Sequence, residues 1–357
     1  MSFDIGNKIK YTVFGQSHSD AIGIVIEGLP AGFKPDQEKI AEFMARRAPG
    51  RNSFSTPRKE ADAVKFLSGL NENGELCGAP LCMVIENTNT KSRDYKNLRM
   101  NPRPGHSDFP AYIKFGGFND IRGGGQFSGR LTAPLCAAGA IAKEILAEKG
   151  IFIGAHISSV HGLNDSSFNP LGESKEVFEE IAAKEFPVIS DRQGELMKEE
   201  IEKARRSKDS VGGIIECMIS GLAPGLGSDK TDSIESRLSS MIFSIPAVKG
   251  IEFGAGFKAA ELYGSENNDE FYFDGDTVKT RTNNHGGILG GISSGMPIVF
   301  RAVIKPTSSI GRLQKTINLE TMTETDLEIK GRHDPCIVQR AVPVTEACAA
   351  LVVLDLL

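Results

Sequence analysis

Two histidines stand where a proton could be delivered to a bound molecule. In Phe14-Gly15-Gln16-Ser17-His18-Ser19-Asp20, the β-branched run 9–14 ends and a loop begins. An imidazole there exchanges protons near neutral pH, and Ser17 can orient it or its target. In Arg103-Pro104-Gly105-His106-Ser107-Asp108, a Pro-Gly turn presents His106 beside a guanidinium. A lone loop histidine is more often a structural hydrogen-bonding group. Two such loops in one chain strengthen the catalytic reading of both.

A third loop, Arg122-Gly123-Gly124-Gly125-Gln126-Phe127-Ser128-Gly129-Arg130, runs into a helix-like segment. Consecutive glycines let backbone amides approach a ligand closely, and a helix start favours an anion, so this is either a phosphate cradle or a tight turn. Neither P-loop nor dinucleotide spacing is met. Towards the end come Asn283-Asn284-His285-Gly286-Gly287, Lys305-Pro306-Thr307-Ser308-Ser309 and Gly331-Arg332-His333-Asp334-Pro335-Cys336. Lys305 with three hydroxyl neighbours suits a clamp on phosphate or on flavin ring oxygens, or a simple strand-end loop. Asp334 is a base candidate or half of a surface ion pair.

Charge supports an anion site. Residues 91–130 carry eight basic side chains against three acidic ones, a +5 window in a chain of net charge −5, which leaves −10 for the rest. A cationic patch on an acidic protein suits a small anionic ligand held in a cleft, and argues against general nucleic-acid binding. His156 and His161 lie in a strand-like run and read as packed or exposed, and no Cys/His spacing indicates a metal.

These loops need a scaffold. Amphipathic spacing predicts helices over 36–47, 132–149, 191–208, 229–243 and 344–357, the last apolar enough to be buried. β-Branched runs predict strands at 9–14, 22–26, 81–85, 151–160, 213–219 and 297–304. The order has no regular βα period, and no linker or repeat divides the 357 residues, so the expectation is an α+β fold in one large domain spanning 1–357. With 40% hydrophobic and 24% charged residues the chain is an ordinary globular one. Its six cysteines read as buried free thiols, and with no leader-like or membrane-spanning run the expected compartment is the cytoplasm, with no membrane partner. A weaker alternative is dinucleotide binding at Gly254-Ala255-Gly256-Phe257-Lys258-Ala259 with Asp274 downstream, although 260–264 is short for the required helix. Another is a flavin- or phosphate-binding protein without catalysis.

Taken in order, Gly15-Gln16-Ser17-His18, Arg103-Pro104-Gly105-His106, Arg122-Gly123-Gly124-Gly125, Asp209-Ser210-Val211-Gly212-Gly213, Ala247-Val248-Lys249-Gly250, Gly286-Gly287-Ile288-Leu289-Gly290-Gly291-Ile292-Ser293, Lys305–Ser309 and Gly331–Cys336 resemble the motifs of the chorismate synthase family across nearly the whole chain. The resemblance implies a β-α-β sandwich assembled as a homotetramer. It also implies a trans-1,4 elimination of phosphate and a proton from 5-enolpyruvylshikimate 3-phosphate, requiring reduced FMN (FMNH2) without net redox change. NADPH would serve only as a source of reducing equivalents, used by the chain itself or through a separate flavin reductase. By position, His18 would protonate the departing phosphate and His106 the reduced flavin, with Ser17 and Ser128 in the proton relay and Asp334 assisting the flavin N5. Arg47, Arg103, Arg130 and Arg332 would meet the substrate. Gln126, Phe127, Ser128, Pro246, Ala247, Gly290, Lys305, Pro306, Thr307, Ser308, Ser309 and Arg332 would contact FMN.

The chain departs from the family pattern at Gln16 and Ser19, where Glu and Gly are usual, along Gln126-Phe127-Ser128-Gly129-Arg130-Leu131, and at Ser53, where an arginine is usual and Arg51 is a stand-in. Altered affinity is expected from these before altered chemistry.

Overall fold

Alternation of apolar side chains sets the first sheet. A computed structural model describes residues 4–50, 62–88, 98–329 and 334–357. In it, β1 (Asp4–Ile5), β2 (Lys10–Gly15), β3 (Ala21–Glu27), β4 (Lys65–Ser68) and β5 (Leu81–Glu86) pair antiparallel in the order β1-β2-β3-β5-β4. Ile22, Ile24 and Ile26 face Ile85, Met83 and Leu81 across β3 and β5, and all six are buried. Side chains two apart share a face, so this register places every one of them on the inner side.

The second sheet is also antiparallel. It takes β6 (Phe152–Val160), β7 (Leu163–Asn164), β8 (Gly213–Ser220), β9 (Val248–Phe253) and β14 (Ile298–Ile304) in the order β7-β6-β8-β14-β9. Small hairpins interrupt or follow it: β10 (Phe271–Asp274) with β11 (Thr277–Thr280), β12 (Ile288–Leu289) with β13 (Ile292–Ser293), and β15 (Gln314–Asn318) with β16 (Thr323–Leu327).

Between the sheets lies a layer of helices. Among the described residues the helices are α1 (Gln37–Arg47), α2 (Asp108–Lys114), α3 (Thr132–Ala147), α4 (Lys175–Ala183), α5 (Asp191–Arg206), α6 (Ile234–Phe243), the single turn α7 (Gly264–Asn267) and α8 (Val338–Leu356); α1, α3 and α8 build the layer, while α4 packs in a separate cluster with Met218 and Val299. α3 packs on α8, meets β3 and β5 on one side and β6 on the other, while α8 lies on β6 and β8. Both are buried nearly all round, as helices without a polar face must be. Their approach requires Gly139, where a Cβ would stand 2.2 Å from that of Ala347. One core cluster takes residues from both sheets and from this layer, matching the α+β sandwich expected.

Buried charges tie the layer together. Glu346 of α8 accepts hydrogen bonds from Arg46 at 2.6 and 2.9 Å and pairs with Lys143 of α3. Asp355 accepts the backbone N–H groups of Asn7, Lys8 and Ile9, at 2.9, 2.7 and 2.7 Å, and pairs with Arg237, fastening the last helix to the first loop.

Some expectations change. The final helix starts at Val338 rather than 344, because Pro343 is accommodated inside a helix held by packing on every side. The 229–243 helix starts at Ile234, after a 3₁₀ turn at Lys230–Asp232, with the Ser233 hydroxyl capping Ser236 N–H at 3.1 Å. Helices α2 and α4 were not anticipated. After Gly254 the chain makes only a 3₁₀ turn, Gly256–Glu261, so the dinucleotide reading has no helix to hold a pyrophosphate. His156 is fully buried between Asp165 and Glu216, at 3.2 and 3.0 Å, and His161 is exposed beside Glu200. All six cysteines are free and four are buried.

Glu346 carries a pH-dependent prediction. Burial raises its carboxyl pKa, but Arg46 and Lys143 overcome this and bring it from the ordinary 4.5 to about 2. A depressed folded-state value stabilises the protein fully above about 4.5 and loses that contribution as pH falls towards about 2. Glu346→Gln should therefore cost about 3 kcal/mol at neutral pH by denaturant unfolding, with the gap to wild type narrowing only as pH falls below about 4.5.

Candidate active site

Three helix ends and two strand ends meet at one cavity of about 930 Å³. Arg47 closes α1, Arg130 and Thr132 open α3, and Arg340 lies in the first turn of α8. Pro246–Val248 leads into β9, and the Lys305–Ser309 segment leaves β14 beside it. A register shift between Val303 and Ile304 leaves Lys249 of β9 as the extra residue at that point, and Lys249 and Lys305 both line the cavity. The volume lies at the upper end of the roughly 300–1,000 Å³ of small-molecule pockets, enough for a cofactor and a substrate together.

The glycine loop separates the two histidines. Gly123, Gly124 and Gly125 all have positive φ, which the amino acids with side chains rarely adopt. A Cβ at Gly123 would stand 2.4 Å from both Ser17 Oγ and His18 Cε1, and one at Gly124 would stand 3.4 Å from His106 Nε2. The Ser17 N–H donates to the Gly125 carbonyl at 3.1 Å, fixing the first loop against the glycines. His106 and Gly123 line the cavity, with Ser17 and His18 buried immediately behind Gly123. Two sequence-distant imidazoles thus flank consecutive glycines.

The cations are held by internal carboxylates. Arg47 donates to Asp62 at 2.7 Å, to the Gly129 carbonyl at 2.8 Å and to Thr132 Oγ1 at 3.2 Å. Arg130 pairs with the other oxygen of Asp62 and donates to Asn87 at 3.0 Å. Burial pushes the Asp62 carboxyl up, and the Arg47 and Arg130 guanidiniums together bring it below its usual value. Burial and the neighbouring Arg340 charge lower Arg47, with Asp62 opposing them. Arg340 donates to Asp334 at 2.7 Å and to the Arg47 carbonyl at 3.0 Å. Thr307 Oγ1 donates to the Asp334 carbonyl at 2.8 Å, joining the 305–309 segment to the start of α8.

Arg103 is buried, with its guanidinium on Asp108 at 2.7 and 2.8 Å and on Ser309 Oγ at 3.0 Å. Lys305 Nζ donates to the Gly105 carbonyl at 2.8 Å, so the 103–108 turn and the 305–309 segment are joined twice. Desolvation, then repulsion from Lys249, lowers the Lys305 amine below its ordinary value. Two crowded ammonium groups are arranged to receive an anion. Ala247 sits at φ +76 with its carbonyl accepting from Lys305 N–H at 2.9 Å, a strained position on the cavity wall.

Among the residues anticipated from sequence, Arg47, Arg103, His106, Gln126, Phe127, Ser128, Arg130, Pro246, Ala247, Asp334 and 305–309 all line this cavity. Ser128 also caps the turn ahead of α3, its Oγ accepting from Arg130 N–H at 3.3 Å. Gly290 does not join them. It lies exposed in the turn between β12 and β13, with open space where a Cβ would be. Arg332, Arg51 and Ser53 lie outside the described residues. Three further side chains belong here: Asp62, Arg340 and Lys249. Nothing in the spacing around Asp62 marks it. Arg340 precedes Pro343, where helical spacing breaks, and Lys249 lies inside the Ala247–Gly250 motif, whose spacing singles out no side chain.

The donor set fits a flavin phosphate and ring: paired amines, three hydroxyls, glycine amides and apolar walls at Phe127, Pro246 and Ala247. Among the described residues no cluster of His, Cys, Asp and Glu could hold a metal ion. Fold and cavity define a protein of the α+β sandwich class with a large pocket lined by arginines and lysines. The chain belongs to the chorismate synthase family, whose family model matches residues 9–357. It is 44% identical to a chorismate synthase of Dehalococcoides mccartyi over 100% of this chain and 96% of that one. It is also 44% identical to a chorismate synthase of Thermococcus kodakarensis, covering 98% and 96% of the two chains. A solved structure described as a crystal structure of chorismate synthase superposes with a TM-score of 0.78 at 27% identity, covering 99% of this chain and 92% of the other.

Gly123→Ala tests the packing of the histidine loop. The added methyl should displace Ser17 or His18 and reduce turnover by about 10²-fold while the protein stays folded by circular dichroism. Gly129→Ala, with nothing within 4 Å, should keep near-wild-type turnover.

Proposed function

We propose that this chain is a lyase that converts 5-enolpyruvylshikimate 3-phosphate into chorismate and phosphate, with reduced FMN bound beside the substrate and no net redox change. The observation that carries the reading is the meeting of His106, the glycine loop, Arg47, Arg130 and Lys305 at one cavity, with His18 directly behind Gly123. Family membership supplies the substrate, and the cation set accounts for its charge.

The substrate bears a phosphate and two carboxylates. Arg47 and Arg130, together with Arg332 by resemblance, would bind and orient these groups, since paired guanidiniums match carboxylate and phosphate geometry. The N-termini of α3 and α8 add a favourable field for the same charges. Reaction breaks the allylic C–O bond to phosphate and removes a proton from the carbon at the far end of the 1,4 relationship.

His18, behind the Gly123 turn with Ser17 at the same contact, would place a proton on the departing phosphate oxygen. His106 turns Nε2 to the glycine loop and would deliver a proton from that nitrogen, with Ser128 on the loop's far limb. Lys305, Thr307, Ser308 and Ser309, with Gln126, Phe127, Pro246 and Ala247, would hold the flavin. When bound, reduced FMN supplies the electron density that lets the allylic C–O bond break. Asp334, held by Arg340, keeps a carboxylate at the cavity wall where it can assist proton removal. The walls and the bound ligands together exclude water, which strengthens each of these charge interactions.

The same reading extends to one domain per chain and a homotetramer in the cytoplasm. Its supports are the continuous core, the free cysteines and the exposed apolar side chains Phe271, Phe273 and Val278 on the β10–β11 hairpin. Among the described residues no helix is long and apolar enough to cross a membrane. Sedimentation at micromolar concentration should give the mass of four chains, and a monomer would remove that element.

Anaerobic incubation with 5-enolpyruvylshikimate 3-phosphate and chemically reduced FMN should release chorismate and phosphate in equal amounts. Folded protein yielding neither would defeat the assignment. His18→Ala and His106→Ala should each slow turnover by about 10²-fold or more, as general-acid roles require.

A further inference from the structure

We infer that Asp108 is the positioning residue of His106, fixing which ring nitrogen faces the cavity and sustaining the protonated ring. The inference rests on the proton-delivery role given to His106 above, and it stands on geometry. Asp108 Oδ1 lies 2.6 Å from His106 Nδ1, with the carboxylate side chain 6% exposed. The carboxylate cannot swing away. Its Oδ2 accepts from the Arg103 Nε at 2.7 Å and from the Arg103 backbone N–H at 3.1 Å, and Oδ1 also accepts from Arg103 Nη2 at 2.8 Å. Arg103 is anchored in turn by its Nη1 on Ser309 Oγ at 3.0 Å.

The nitrogen facing an anionic oxygen is the one that keeps its proton, so Nδ1–H points at Asp108 and Nε2 is turned to the glycine loop at Gly124. That is the side on which a bound ring would lie. The same carboxylate stabilises the imidazolium, which must exist before a proton can be handed on.

Other groups face the imidazole. Arg103 Nη2 stands 3.2 Å from Nδ1 and opposes protonation, while Ser107 Oγ stands 3.5 Å away. Lys305 reaches the Gly105 carbonyl on the same turn and adds positive charge. The glycine loop brings no charge at Gly124, and His18 lies beyond Gly123. Asp108 is therefore the anionic group set against two cations. Its removal would leave the ring facing Arg103 and Lys305 uncompensated.

The test is Asp108→Asn, which keeps the size of the side chain and removes its charge. Proton NMR titration of the protein without flavin or substrate, with His106→Ala used to assign the resonance, should show the His106 pKa lower than wild type by about one unit or more. Turnover should fall about 10- to 100-fold with KM changed less than about threefold, and part of the loss should be recovered at lower pH, where the ring is protonated again. Asp108→Glu, which retains the charge, should keep the ring pKa within about half a unit of wild type, and it serves if the asparagine variant does not fold. The double variant with His106→Ala should be no slower than His106→Ala alone. An unmoved His106 pKa in folded Asp108→Asn, or losses that multiply in the double variant, would overturn the positioning role. Near-wild-type turnover of His106→Ala would instead overturn the proton-delivery reading, whatever the titration gives.

Discussion

Like charges crowd one wall of a cavity in this protein, and three carboxylates make that tolerable. Arg47 and Arg130 share Asp62, Arg103 is anchored on Asp108, and Arg340 holds Asp334. Removing a charge from water is expensive unless it is paired and hydrogen-bonded, so each guanidinium could be placed here only with its partner. Lys249 and Lys305 are set differently: burial, and then repulsion from Lys249, lowers the Lys305 amine. An incoming phosphate therefore finds a prearranged positive field rather than one it must assemble, which is how electrostatic catalysis avoids reorganisation during reaction.

The scaffold exists to bring those pairs from distant sequence to one place. Arg47 and Asp62 are separated by residues outside the described chain, and Arg340 comes almost three hundred positions later (roughly the length of a whole domain). The helical layer makes the convergence possible, because α1, α3 and α8 pack side by side and all end at the cavity. Their own buried ion pairs, around Glu346 and Asp355, lie away from it and hold the layer to the N-terminal loop and to α6. Close approach of α3 and α8 through Gly139 serves the same end.

Much of this was legible before any coordinates. The β-branched runs at 22–26 and 81–85 predicted two strands of the first sheet, though not which face they bury, and the eight ordered motifs pointed to the family. Both histidine loops and the glycine run could be identified as chemical equipment from residue type alone. What could not be read was relation in space. Asp62 has no local signature, because its meaning lies in two arginines on other elements. Arg340 was missed because proline is a helix breaker in water, and only packing on all sides carries the helix back through Pro343 to Val338. That Ser17 and His18 pack against Gly123 so closely that no side chain would fit there is a relation no spacing rule contains. Gly290, placed with the flavin contacts by motif, stands apart in an exposed turn of this chain.

In the proposed function one cavity holds both ligands between the two imidazoles and the paired cations. A crystal structure with FMN and 5-enolpyruvylshikimate 3-phosphate tests it most directly. The substrate phosphate should lie against Arg47 or Arg130, the flavin along Lys305–Ser309 and Ala247, and both histidine rings within about 3.5 Å of a ligand atom. Clear density for both ligands on a different surface, with this cavity holding only solvent, would contradict it.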